Sequence, residues 1–189
     1  MEQASVEQIK DEKSSIVPDW SGHLITRTGF AFWARPVRPS DADQLSAFFD
    51  NVSKEDLRFR FLTGFQHISA DRIEAMTAVD HKKVEHFLAL EHQSGTLIAS
   101  AMLAASDANG QAEVALSILP EYKKRGISWT LLNHIARFAQ AKGFKTIESL
   151  ESRANHDAIE LEKEMGFATY PCPGDATLMI VRAELAQAA

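Results

Sequence analysis

The stretch Ser117-Ile-Leu-Pro-Glu-Tyr-Lys-Lys-Arg-Gly-Ile-Ser-Trp-Thr-Leu-Leu132 decides how this chain is read. An apolar run stops at Pro120 and a short basic turn follows. From about Gly126, Trp129, Leu132, Ile135, Ala136 and Ala139 recur on one helical face. The pattern predicts a strand, a turn and a helix in succession. Free N–H groups at a helix start carry partial positive charge and form an anion site. Lys123, Lys124 and Arg125 add full charges at that place, and Gly126 lets backbone approach a phosphate closely. In a chain of net charge −6, three successive cations there point toward a ligand, with a solvated basic turn as the alternative. The spacing of a P-loop, GxxxxGK[ST], is absent.

Strand formers precede this segment at residues 87–90, 96–103 and 112–119, with turns at Ser94-Gly95 and Asn109-Gly110. Asn-Gly between apolar runs is a hairpin signal because both positions tolerate positive φ. Earlier still, residues 30–34 read as a strand halted by Pro36 and Pro39. Ser40, Ser53 and Ser69 each precede apolar residues at helical spacing, which predicts three short helices with capped starts. Downstream, Gly143 stops the long helix. A strand at 146–150, a helix at about 156–165 closed by Gly166, and strands at 167–170 and 177–182 complete the order. The fold class expected is α+β (mixed α/β): a mixed sheet with helices on both faces.

Composition limits the function. At 189 residues the chain is one domain, with residues 1–20 expected as a flexible extension and 21–189 as the folded unit. Acidic residues outnumber basic ones 26 to 20, which argues against nonspecific nucleic-acid binding. The longest apolar runs are five residues, too short for a membrane span, and the N-terminus lacks a signal-peptide core. A soluble cytoplasmic protein is expected. The single cysteine, Cys172, excludes a disulfide within the chain and a thiolate-rich zinc site, and it reads as an idle thiol. His81, His86 and His92 read as exposed strand-end side chains, so no metal is expected.

Lys123-Lys-Arg-Gly126-Ile-Ser128 resembles the acyl-CoA pyrophosphate loop of the GNAT family of N-acetyltransferases, Gln/Arg-x-x-Gly-x-Gly/Ala. Lys123 stands for the first residue of that pattern and Ser128 for its second glycine. Arg35-Pro-Val-Arg-Pro-Ser-Asp41 is similar to the family's opening strand and first helix start. Asn155-His-Asp-Ala158-Ile-Glu-Leu161, followed by Gly166-Phe167, is similar to its late helix and next strand. The likeness runs from about residue 31 to 182. It implies a central twisted mixed sheet, splayed at the cofactor site between strands 112–119 and 146–150. It also implies acetyl-CoA as co-substrate, bound by Ile118, Lys123, Lys124, Arg125, Gly126, Ile127, Ser128 and Asn155, and direct acetyl transfer to an amine. Free backbone groups on the splayed edge would pair with the pantetheine amides.

A narrower likeness lies in Arg35–Asp41, Leu57-Arg-Phe-Arg-Phe61 and Ala112-Glu-Val-Ala115. These resemble bacterial protein-lysine acetyltransferases that modify acyl-CoA synthetases, which implies a protein lysine as acceptor, such a synthetase as partner and Glu113 as the catalytic residue. A lysine amine with pKa about 10.4 is protonated at neutral pH, so a carboxylate base is needed before attack. The helix pair at about residues 40–65 would wall the acceptor side, carrying Arg58, Phe59, Arg60 and Phe61 among Asp50, Glu55 and Asp56. Some of the aromatics at 59–65 would line a substrate groove. Where the family often has a tyrosine after the position of Leu161, this chain has Glu162. Small-molecule amine acetylation and a noncatalytic acyl-CoA sensor are the alternatives, and a homodimer is left open.

Overall fold

A computed structural model of the protein describes residues 19–64, 67–106 and 110–186. Most of the expected N-terminal extension, Phe65 of the proposed groove and Asn109 of the hairpin turn lie outside the described residues. The chain order is β1 (Gly22–Ile25), β2 (Ala31–Pro36), a 3-10 turn (Pro39–Asp41), α1 (Ala42–Asn51), α2 (Lys54–Phe61), α3 (Ala70–Thr77), β3 (Val84–Glu91), β4 (Leu97–Ala105) and β5 (Gln111–Ile118). A second 3-10 turn (Pro120–Tyr122), α4 (Ile127–Ala141), β6 (Thr146–Ser152), α5 (His156–Glu164), β7 (Ala168–Pro171) and β8 (Leu178–Glu184) follow. The strands form one mixed sheet in the order β1-β2-β3-β4-β5-β6-β8-β7. Every pairing is antiparallel except β5 with β6.

The expected mixed sheet, with helices on both faces, is present. Alternation along β3 divides two cores. Phe87 and Ala89 join Ile127, Leu131, Ile135 and Phe138 of α4 and Ile159 of α5. Leu88 joins Leu45, Phe48 and Phe49 of α1, Leu57 of α2, and Ile73 and Met76 of α3. Fully burying side chains of this size stabilises by roughly 1.5–3 kcal/mol each before packing strain is counted. No helix among the described residues is long and apolar enough to cross a membrane.

Three local readings are corrected. The strand β1 was not expected: its tetrapeptide, Gly22-His-Leu-Ile25, is too short to show a period, and pairing with β2 makes it. Ser40 does not cap α1. Asp41 holds that position, and its carboxylate takes two 2.7 Å hydrogen bonds from the Arg35 guanidinium and one from the Arg38 N–H. Burial favours the neutral acid, but these donors outweigh it and hold the Asp41 pKa below its ordinary value. This clamp ties the end of β2 to the start of α1. Ser53 does cap α2, accepting from the Asp56 N–H. Finally, His86 is fully buried rather than exposed. Its ring nitrogens lie 2.7 Å from the Met76 carbonyl and from Ser100 Oγ, polar partners that local sequence does not reveal.

Candidate active site

The parallel pairing of β5 and β6 lasts three residues, Gln111–Glu113 against Thr146–Glu148. Beyond Glu113 no pairing joins the two strands among the described residues, and they part. A cavity of about 460 Å³ occupies the opening. Its walls are Val114 to Ile118 of β5, Ser149, Leu150 and Glu151 of β6, the inner side of α5, Asp56, Phe59 and Arg60 of α2, and the turn before α4. The expected divergence of the two parallel strands is thus present, and α2 walls it.

The turn owes its shape to glycine and to β1. Gly126 has φ +80°, and a Cβ there would lie 3.2 Å from Thr26 Cβ in the β1–β2 turn. Thr28 Oγ1 also donates to the Arg125 carbonyl at 2.8 Å. Gly126 therefore serves to pack the turn against Thr26 as well as to set its backbone. The cap position of α4 is held by Gly126, which has no side chain to satisfy the free N–H groups, and no acid occupies the first turn. The helix start retains its attraction for an anion.

The expected cofactor residues divide into two groups. Ile118, Lys123, Lys124, Ser128 and Asn155 line the cavity. Arg125 lies outside its lining and stacks on Phe30 and Tyr122, with centroids 5.3 and 5.0 Å away. Gly126 and Ile127 are also outside the lining, Ile127 being buried in the α4 core. Lys123 Nζ lies 2.7 Å from both carboxylate oxygens of Asp56. Asn155 donates from Nδ2 to Glu151 at 2.7 Å. Glu113 is exposed, one residue outside the cavity wall, where the parallel pairing ends. It raises the pKa of Arg60, which burial has pushed down to about 10.

Some of the cavity's features were not anticipated from sequence. Three buried side-chain polar atoms have no partner among the described residues: Arg60 Nε, Ser117 Oγ and Glu162 Oε2. All three belong to residues that line this one cavity. Leaving a buried polar group unpaired costs about 1–3 kcal/mol, so their convergence fits a wall built to meet a polar ligand. Glu151 is pushed up to about 7 by burial, against the Asn155 hydrogen bond and Arg60. The signal that would have found these residues is alternation. Ile147, Ser149 and Glu151 fall on one face of β6, and Glu162 lies three residues after Ile159 on the buried stripe of α5. A polar residue on such a stripe marks either a buried hydrogen bond or a site.

Among the described residues no cluster of His, Cys, Asp and Glu is arranged to hold a metal. His81 pairs with Glu85, and His92 packs edge-on against His23. Neither Tyr122 nor Tyr170 lines the cavity.

A mixed sheet that parts between two parallel strands, with a helix start beside the opening, is the frame of an acetyltransferase. The chain belongs to the acetyltransferase (GNAT) family, whose family model matches residues 49–167. It is 29% identical over 153 residues to Acetyltransferase PA5475 of Pseudomonas aeruginosa, covering 80% of this chain and 82% of that one. The GNAT domain of S. lividans PAT superposes with a TM-score of 0.80 at 24% identity, covering 88% of this chain and 97% of that one. A spermidine N-acetyltransferase from Vibrio cholerae, in complex with CoA and spermine, superposes with a TM-score of 0.66 at 18% identity, covering 80% and 94%. The structural likenesses establish the fold; the family match establishes the class of enzyme.

Proposed function

We propose that this chain transfers the acetyl group of acetyl-CoA, held where β5 and β6 part, to the ε-amine of a lysine on a partner protein. The partner class suggested by the sequence likeness is an acyl-CoA synthetase. Lys123, Lys124 and Ser128, beside the uncapped start of α4, suit the pyrophosphate. The edge of β5 beyond Glu113 suits the two pantetheine amides, and Asn155 stands on the opposite wall. Bound acetyl-CoA supplies an activated acyl thioester. Glu113 takes a proton from the incoming ammonium, directly or through water, and so exposes the nitrogen lone pair for attack.

The observation that carries the acceptor reading is the charge order on α2. Lys54, Glu55, Asp56, Arg58 and Arg60 mix both signs, Lys123 neutralises Asp56, and the partly buried Arg60 opposes a polycation in the cavity. Such a wall suits a mixed-charge protein surface, with area beyond the lysine adding affinity. The test is a competition for labelled acetyl-CoA among equal concentrations of an acyl-CoA synthetase, free lysine, spermidine and an aminoglycoside. The synthetase is expected to take most of the label. Preferential labelling of spermidine would instead assign the exposed acids Asp157, Glu160 and Glu164 of α5 to a polyamine. Consumption of no thioester with any amine would favour a sensor.

A further inference from the structure

Arg60 of α2 is a partly buried residue of the cavity lining, and its Nε is buried without a hydrogen-bond partner. No hydrogen bond or ion pair joins its guanidinium to another described residue. The group rests over the Phe61 ring, with Cζ 5.0 Å from the centroid. A guanidinium keeps its proton at neutral pH, so one held in this state is suited to a planar anion that takes two N–H groups at once. Its place on α2 says which anion. Asp56, four residues earlier and so about 6 Å back along the helix axis, holds Lys123 of the basic turn. Arg60 instead feels the charge of Glu113, where the pairing of β5 and β6 ends. The cofactor phosphates belong to the Lys123 end, which leaves Arg60 to the reacting end. The acceptor arrives there as an ammonium, which Arg60 repels, and the remaining reactant is the acyl group. We propose that Arg60 binds a carboxylate on the acyl group, so that the enzyme uses acyl-CoA donors ending in a carboxylate, of the succinyl type, as well as acetyl-CoA. The proposal rests on the reading of this cavity as the acyl-CoA site.

The acids around Arg60 do not supply the missing contact. Burial pushes its pKa down to about 10 and Arg72 adds to that, while the charges of Glu113 and Glu151 oppose it from a distance. Glu151 is itself pushed up to about 7 by burial, so it is a partial counterion at neutral pH, and it accepts from Asn155. A succinyl group carries its charge two methylenes away from the thioester carbonyl, clear of the bond that breaks. In the step, the amine nitrogen bonds the thioester carbonyl carbon and the C–S bond breaks with its electron pair going to sulfur. Both protons lost by the original ammonium reach solvent by way of Glu113, and the CoA thiolate takes one proton from solvent. The net release is one proton per turnover. The acyl carboxylate is unchanged throughout, so a positive side chain on the acceptor becomes a negative one.

The test uses calorimetry with CoA, S-carboxypropyl-CoA and S-butyl-CoA, the last two being thioethers of equal carbon count that cannot transfer their chains. Wild type should bind the carboxypropyl ether about tenfold more tightly than the butyl ether, and Arg60→Met should bring the two to parity. Methionine follows the apolar stem and replaces an unsatisfied cation, so this variant is expected to fold. Arg60→Lys keeps the charge without the planar fork and should retain only part of the preference. Initial rates of thiol release, corrected for enzyme-free acylation, should rank succinyl-CoA above butyryl-CoA in wild type, and Arg60→Met should lose that ranking. If wild type binds neither CoA nor the ethers, the cavity assignment fails and the proposal with it. If CoA and both ethers bind, but the carboxylate confers no preference or the preference survives Arg60→Met, the donor proposal is overturned while the cavity assignment stands. A loss in Arg60→Met confined to acceptor peptides with Asp or Glu beside the lysine would give the carboxylate to the acceptor and overturn the proposal likewise.

Discussion

Lys123 Nζ is held 2.7 Å from both oxygens of the Asp56 carboxylate, which joins the basic turn to α2 across the cavity wall. A lysine so engaged offers little charge to a phosphate until the pair opens. Both side chains keep some solvent exposure, 45% for Lys123 and 21% for Asp56, so the pair is a weak latch. Asp56→Asn should therefore release Lys123 and lower the Kd for acetyl-CoA by up to about fivefold at low salt. The gain should fade as salt is added. Calorimetry over a salt series checks it, and a raised Kd would mean that Asp56 positions Lys123 for the ligand.

Glu113 marks the point where the parallel pairing of β5 and β6 ends, and its charge acts on Arg60 in the cavity wall. Glu113→Gln preserves shape and hydrogen bonding but cannot accept a proton. Turnover should drop by about 10²–10⁴-fold with acetyl-CoA affinity nearly unchanged. Steady-state kinetics with a lysine-bearing acceptor, paired with a binding titration, measures both. An unchanged rate would leave Glu113 a solvent-facing strand residue.

Gly126→Ala places a methyl group 3.2 Å from Thr26 Cβ at φ +80°. Left-handed backbone for a side-chain-bearing residue costs about 1–3 kcal/mol, and the contact adds to it. A melting curve should show a loss of several degrees, together with weaker acetyl-CoA binding as the turn shifts. Thr28→Ala, which removes the hydroxyl donated to the Arg125 carbonyl, should act in the same direction at about 1 kcal/mol. Wild-type melting in both variants would show that β1 does not support the turn.

These supports explain where sequence reading stopped. The β3–β4–β5 meander and the helix after Gly126 are set by local periodicity and turn chemistry, so the residues themselves reveal them, whereas the divergence of β5 and β6 was implied only by the family resemblance. β1 is formed by its partner strand, and its contribution to the turn runs through Thr26 and Thr28, about a hundred residues from Gly126 in sequence. Likewise the pairing of Lys123 with Asp56, and the presence of Arg60 in the same cavity lining as Ser117 and Glu162, depend on α2 crossing the open sheet edge. Periodicity within any one element carries no information about that crossing. It does show Ser149, Glu151 and Glu162 as polar residues on buried stripes, which is the part of the site that local sequence makes legible.

The buried His86 gives a signature in the acid range. Desolvation, with Arg60 adding in the same sense, lowers its pKa to about 4, although the hydrogen bond to the Met76 carbonyl and the charge of Asp41 favour the proton. The unfolded chain takes up this proton near pH 6.5, whereas the folded chain does so only near pH 4. His86 therefore contributes stability that is present above about pH 6.5 and is lost as pH falls toward 4, at up to about 1.4 kcal/mol per pH unit. Glu151 and Glu162, whose pKa values are raised, act in the opposite sense over part of this window, since their burial favours the protonated folded state. Subtracting the profile of His86→Gln from that of wild type removes contributions common to both. The variant is expected to be less stable at pH 7, having exchanged a fitted ring for a looser amide beside Ser100. The wild-type advantage should then shrink steadily between pH 6.5 and 4, which urea unfolding at half-unit intervals resolves. A pH-independent difference would mean that His86 accepts its proton without leaving the fold.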